Sequence, residues 1–237
     1  MIDFTNVSKS FGTHEVLRDA SFRVNDGERV GVVGPNGAGK STVFALILRD
    51  KISPDHGSIE LPKSVRIGHL RQEFNPHEVE SNLLEYAESG CQDLVDMHAE
   101  IERLEHDLHH DRINDRDAAL AHIGRLQTMY EAGGGYQTRT RAQTALCGLG
   151  LGEDKFSRPF NSFSGGWQMR AELARVIVSD PDLLLLDEPT NYLDIPAVEW
   201  LREYLKSFTG TMLLISHDRY LLNTLADTTL EVANYKT

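Results

Sequence analysis

The sequence predicts an α/β fold built on a mainly parallel sheet, and three observations carry that prediction. Arg29–Val33 (RVGVV) is a short apolar strand that runs straight into the glycine-rich stretch Gly34-Pro35-Asn36-Gly37-Ala38-Gly39-Lys40-Ser41, and from there into the apolar, helix-length segment Thr42–Leu48. In the last third, strand-like Leu183–Leu186, Thr211–Ser216 and Thr229–Val232 alternate with helix-like Ala197–Lys206 and Arg219–Leu225. That alternation is the pattern of parallel strands joined by crossover helices. The chain has 237 residues, 40% of them hydrophobic, enough for one large domain or two small ones.

Composition narrows the function. The chain carries 24 basic and 36 acidic residues, a net charge of −12. Such a chain is not a bulk nucleic-acid binder, because phosphate neutralisation needs Lys and Arg, although a local patch could still touch RNA. Cys91 and Cys147 lie far apart without metal-ligand spacing, so neither a disulfide framework nor a zinc site is expected. The longest apolar runs, Leu183–Leu186 and Met212–Ile215, fall far short of the ~20 residues that span a bilayer. The opening MIDFTNVSKS lacks a basic stretch followed by an apolar one, so no signal peptide is expected. A soluble, cytoplasmic protein follows.

Each element has its own warrant. Ile2, Phe4 and Val7, then Phe22 and Val24, read as strands, with Asn25-Asp26-Gly27 as the turn before Arg29–Val33. Ser58–Leu61 and Val65–Leu70 read as two further strands around a turn at Pro62-Lys63. From Ser81 to Ala132 the helical signal dominates. Leu94, Met97, Ile101, Leu104 and Leu108 repeat at alternating spacings of three and four, a coiled-coil seam, with charged residues between. His109–Asp115 interrupts the seam, which resumes at Ala119, Ile123, Leu126 and Tyr130. This predicts a helical hairpin over about Gln92–Glu131 with its tip near 110–116; two amphipathic helices packed on the domain is the other reading. Gly133-Gly134-Gly135 closes the hairpin, Tyr136–Leu146 begins another helix, and Gly166–Val178 leads to the Leu183 strand.

The glycine-rich stretch fits G-x-x-x-x-G-K-[ST] and lies between a strand and a helix, the context in which it binds phosphate. Glycines let backbone N–H groups close around a β-phosphate, and the helix N-terminus adds a favourable dipole. Lys40 supplies positive charge toward the β- and γ-phosphates, and Ser41 a hydroxyl for Mg²⁺. Asp187-Glu188 follows the Leu183–Leu186 strand, placing both acids at the strand's C-terminal end, where α/β sheets bind ligands. Asp187 is suited to hold Mg²⁺ through water, and Glu188 to polarise an attacking water.

Together with Gln72 after the Val65–Leu70 strand, Ser164-Gly165-Gly166-Trp167-Gln168 before the Asp187 strand, Asp194 after Glu188 and His217 after Thr211–Ser216, these elements form an ordered set. The set resembles the ATP-binding cassette (ABC) ATPases over nearly the whole chain. The resemblance implies an ABC nucleotide-binding domain with a mixed sheet, a helical subdomain and an inserted hairpin, or arm. It implies a core of 1–72 and 179–237 with an antiparallel part, and a helical subdomain at 73–178. It implies that Gly34 to Thr42 hold ATP, with Phe11 stacking on adenine, a core Phe being the other reading. Gln72 would ligate Mg²⁺ and sense the γ-phosphate, and His217 would hydrogen-bond it. Ser164 to Gln168 would cap the γ-phosphate of a nucleotide held by a second cassette, and Asp194 would reach the phosphate loop across that pair.

Further residues resemble the ABC-F class, soluble cassettes acting on ribosomes. They are Glu188-Pro189-Thr190-Asn191-Tyr192-Leu193-Asp194, Trp167 in the signature, the run from Gly68 to Glu73 (GHLRQE), and Tyr130-Glu131 with Gly134-Gly135-Tyr136 and Leu149-Gly150 closing the hairpin. Gln72 and Ser164 are 92 positions apart, more than transporter cassettes usually need, and the hairpin supplies the difference. The class carries two cassettes joined by a linker, so this single cassette is expected to be an N-terminal part of a longer protein, or to pair with a second copy. The expected partners are a second cassette and the ribosome or its RNA. His109, His110, Arg112 and Arg116 are candidates at the tip, where Asp111, Asp115 and Asp117 dilute the basic character. The alternative is the ATP-binding subunit of a membrane transporter, docking near Gln72. A DNA-maintenance ATPase ranks last, because its coiled coil runs to hundreds of residues.

Overall fold

In the computed structural model the described residues are 1–49, 52–70, 79–110, 112–233, and they divide between two compact units, Met1–Phe74 with Asp180–Thr237 and Asn75–Ser179.

The first unit holds two sheets. Strands β1 (Ile2–Phe11), β2 (His14–Val24) and β4 (His56–Glu60) form an antiparallel sheet in the order β2-β1-β4. β3 (Arg29–Val33), β5 (Ile67–His69), β6 (Leu183–Asp187), β7 (Thr211–Ile215) and β8 (Thr228–Glu231) form a parallel sheet in the order β5-β6-β7-β3-β8. Parallel and antiparallel pairing thus segregate into separate sheets. One core joins them. Helix α1 (Lys40–Leu48) buries Val43, Phe44, Leu46 and Ile47 with Val30, Val32, Leu185 and Leu213 of the parallel sheet and Phe4, Val7 and Leu17 of the other. The alternate strand residues Leu184, Leu186, Met212 and Leu214 are buried as well, as parallel strands covered on both faces require. Helix α7 (Ile195–Ser207) buries Ala197, Leu201 and Leu205, one face at a spacing of four. From α8 (Arg219–Leu225), Leu222 approaches β3 so closely that a Cβ on Gly31 would lie 3.1 Å from it.

The second unit is helical: α2 (Leu83–Glu88), α3 (Gln92–His109), α4 (Arg116–Ala132), α5 (Gly135–Gly148) and α6 (Gly165–Val178). The hairpin is α3 and α4, with its turn within 110–115. Ile101, Leu108, Ala119, Ile123, Leu126 and Tyr130 form a cluster flanked by Leu94, Met97 and Leu104, the residues of the seam. α2 is a separate short helix, set off by an Asn82–Glu85 capping box. Deeper in this unit Glu172 is buried between Tyr86, whose hydroxyl donates to it at 2.6 Å, and Arg175, which donates twice at 2.7 Å. Burial beside that carboxylate pushes the Tyr86 hydroxyl far above its ordinary range.

Candidate phosphate-binding site

The strand β3 ends in a loop that glycine makes possible. Gly34 and Gly39 have φ of 150° and 104°, a region L side chains rarely adopt. A Cβ on Gly34 would collide with the carbonyl of Val232, and one on Gly39 would come within 2.5 Å of Val16. Lys40 opens α1 and folds back over the loop, its Nζ donating to the carbonyls of Gly34 at 2.9 Å and Pro35 at 3.0 Å. Ser41 Oγ donates to Asp187 Oδ2 at 2.8 Å, so the first turn of α1 meets the end of β6.

Glu188 follows in a left-handed conformation, φ 50°. Its N–H donates to Ile215 O at 2.9 Å, and its Oε2 accepts from the His217 N–H at 3.2 Å. Its Oε1 is buried, 3.7 Å from the His217 ring, and accepts no hydrogen bond from the described residues. A non-glycine residue held at positive φ is strained, and such strain clusters at functional sites. These side chains line one cleft of about 410 Å³, within the range of small-molecule sites. Its walls include Asn36, Gly37, Lys40, Ser41, Thr42, Asp187, Glu188 and His217, with Phe11 and His14 at the hairpin between β1 and β2. Phe11 is 47% exposed, so it is not a core residue.

Among the described residues no cluster of three or more His, Cys, Asp or Glu is placed to hold a metal. Ser41 and Asp187 nonetheless put two hard oxygen donors side by side. That suits Mg²⁺, which takes few protein ligands and completes its shell with phosphate and water.

The remaining predicted residues are placed elsewhere. Asp194 caps α7, accepting from the Ala197 N–H at 3.1 Å. Ser164 is the N-cap residue of α6 and makes no side-chain cap bond; it and Gly165 are exposed, and Gly166 partly so. Over the Trp167 ring lie the Arg170 guanidinium at 4.4 Å and the Lys155 ammonium at 5.8 Å. Gln168 is buried and donates to Phe160 O at 3.4 Å. Gln72 lies outside the described residues, as does Asp111. The sequence reading passed over His14 in the cleft, although its spacing of two from Val16 on a strand was legible.

A strand–glycine loop–helix over a parallel sheet, with a Ser–Asp pair at its mouth, defines a phosphate-loop nucleotide-binding domain. Comparison with known proteins identifies the branch. The family model described as ABC transporter matches residues 17–191, and the chain belongs to that family. It is 40% identical over 232 residues to the probable ATP-binding protein YheS of Escherichia coli K12, covering 98% of this chain and 34% of that protein. It is 37% identical over 233 residues to ABC transporter F family member 4 of Arabidopsis thaliana, covering 94% of this chain and 30% of that one. The chain therefore spans about a third of the length of these curated relatives. Its fold resembles the dimeric structure of MJ0796, a bacterial ABC transporter cassette, with a TM-score of 0.67 at 22% identity, over 100% of this chain and 96% of that one.

Proposed function

We propose that this chain is an ABC-F type cassette that binds and hydrolyses ATP, pairs with a second cassette, and works as part of a cytoplasmic, ribosome-associated translation factor. The observation that carries the nucleotide chemistry is the Ser41–Asp187 contact at the mouth of the glycine loop, with Glu188 beside it. The resemblance to a protein named as an F family member supports the class.

On this reading Gly34 to Gly39 surround the β-phosphate with N–H groups, and Lys40 exchanges its two carbonyl contacts for phosphate oxygens. Phe11 and His14 flank the nucleoside end. Ser41 and Asp187, with Gln72 as the resemblance implies, would hold Mg²⁺, which would supply positive charge beside the transferring phosphoryl group. Glu188 Oε1, buried and without a donor among the described residues, accepts a hydrogen bond from the attacking water, while Oε2 stays anchored to the His217 backbone. His217 Nε2 is positioned to move toward the γ-phosphate, its side chain being 67% exposed. The α6 start at Ser164 to Gly166 offers backbone N–H groups and a dipole to a nucleotide on the second cassette. Trp167 and Gln168 hold that helix start in place, and Asp194 sets the turn entering α7.

Replacing Glu188 by Gln tests the reading. ATP binding is expected to persist while turnover falls at least about a hundredfold. Near-normal hydrolysis would remove Glu188 from the mechanism.

A further inference from the structure

At the root of the hairpin, α2, α3, α4 and α5 enclose a depression of about 300 Å³. It lies in the helical unit and takes no part in the nucleotide chemistry. Its walls are aromatic. His98 stacks on Tyr130 with centroids 5.3 Å apart, Tyr136 meets Tyr130 edge-on at 4.9 Å, and Tyr136 is 67% exposed. Leu94, Val95 and Thr138 complete the lining, and Glu88 contributes a carboxylate that is mostly buried. That carboxylate pairs with Arg139 at 3.4 Å, whose own side chain is largely exposed. Burial and the neighbouring Glu85 push the Glu88 carboxyl above its ordinary range, despite Arg139 and His98 pulling it down. The upward push comes first from burial, and a cation entering the depression would favour the ionised carboxylate. Around it the segment Gln92–Ala132 carries ten acidic and four basic residues, a net of −6 and half the charge of the whole chain.

We propose that this depression receives the Lys or Arg side chain of a basic polypeptide that docks at the root of the hairpin. The exposed Tyr136 ring and a mostly buried carboxylate together suit an organic cation. One carboxylate and one imidazole are too few for a metal site. The acidic hairpin attracts a polycation and repels the phosphates of a nucleic acid. Arg139 is the internal stand-in for the incoming cation. Its exposed, long contact with Glu88 costs little to displace. Removing Arg139 should therefore strengthen binding rather than weaken it, which distinguishes a built receptor from general acid–base attraction.

The test is calorimetric titration of the 237-residue chain with tetra-arginine amide, in parallel with a ten-nucleotide single-stranded RNA. Glu88→Gln should weaken peptide binding at least about tenfold. Tyr136→Ala, which changes no charge, should weaken it about threefold. Arg139→Gln should tighten it by more than Arg125→Gln, a hairpin control with the same change of charge. Circular dichroism melting of each variant checks folding, and if Glu88→Gln unfolds, the Tyr136 and Arg139 variants carry the result. Equal weakening by Glu105→Gln and Glu88→Gln would overturn the proposal. So would indifference to Tyr136→Ala, or preference for the RNA.

Discussion

Gly34 is the residue with least freedom in the phosphate loop. Its φ of 150° and the Val232 carbonyl behind it leave no room for a Cβ, so Gly34→Ala must displace either the loop or the end of β8. Loss of ATP binding with the parallel sheet intact is expected, read by calorimetry and circular dichroism. Lys40→Ala isolates the charge. Its ammonium has two carbonyl partners in the loop, and on the proposed reading the nucleotide supplies stronger, charged ones. A rise in ATP dissociation constant of at least about tenfold is expected, and unchanged affinity would count against phosphate binding here. Most of this was legible residue by residue, because the motif's spacing encodes its own geometry. The collision at Gly34 was not, since Val232, just past β8, is far away in the sequence. Nor was the contact of Lys155 with the Trp167 ring, which depends on how the loop after α5 folds back.

At the level of elements, periodicity was enough for α3 and α4, and apolar helix-length segments between strand and turn signals marked α1, α5, α6, α7 and α8, with boundaries within a few residues. The order β5-β6-β7-β3-β8 was not legible, because it is decided by which apolar strands lie adjacent rather than by any one of them. The short α2 is not set apart within the helix-dominated stretch that begins at Ser81, although Asn82 with Glu85 three positions on is a legible start signal. α2 and α6 are tied by the Tyr86–Glu172–Arg175 group, and its energetics can be separated. Tyr86→Phe removes one donor from a carboxylate that keeps two others, a cost of about 1 kcal/mol. Arg175→Met leaves a buried carboxylate with only a phenol, and should cost about 3 kcal/mol. Urea unfolding of both variants measures the ratio. Equal, small losses would show that water already solvates Glu172.

At the scale of the molecule, the hairpin and the nucleotide cleft lie in separate compact units, each with its own apolar cluster. The hairpin's cluster is built from α3 and α4 with little else, so removing Leu94–Met129 should leave the ATP dissociation constant within about twofold. Loss of ATP affinity would make the hairpin part of the cassette core. The pairing of cassettes needs a different measurement. Ser164 to Gly166 are exposed or partly exposed residues at a helix start, and the proposed role gives that helix start to another cassette's nucleotide. Blocking hydrolysis with Glu188→Gln should trap the ATP-bound pair, because the phosphate cradle and the helix start remain while the γ-phosphate persists. Sedimentation of that variant with Mg-ATP, with and without ribosomes, separates the outcomes. Co-migration with ribosomes only when ATP is present supports the ABC-F role and shows that one cassette suffices to dock. A dimer that forms with ATP and ignores ribosomes retains the cassette chemistry and removes the ribosome as this chain's partner. A monomer under all conditions means that the second cassette must come from a different sequence, since two copies of this one fail to complete a site.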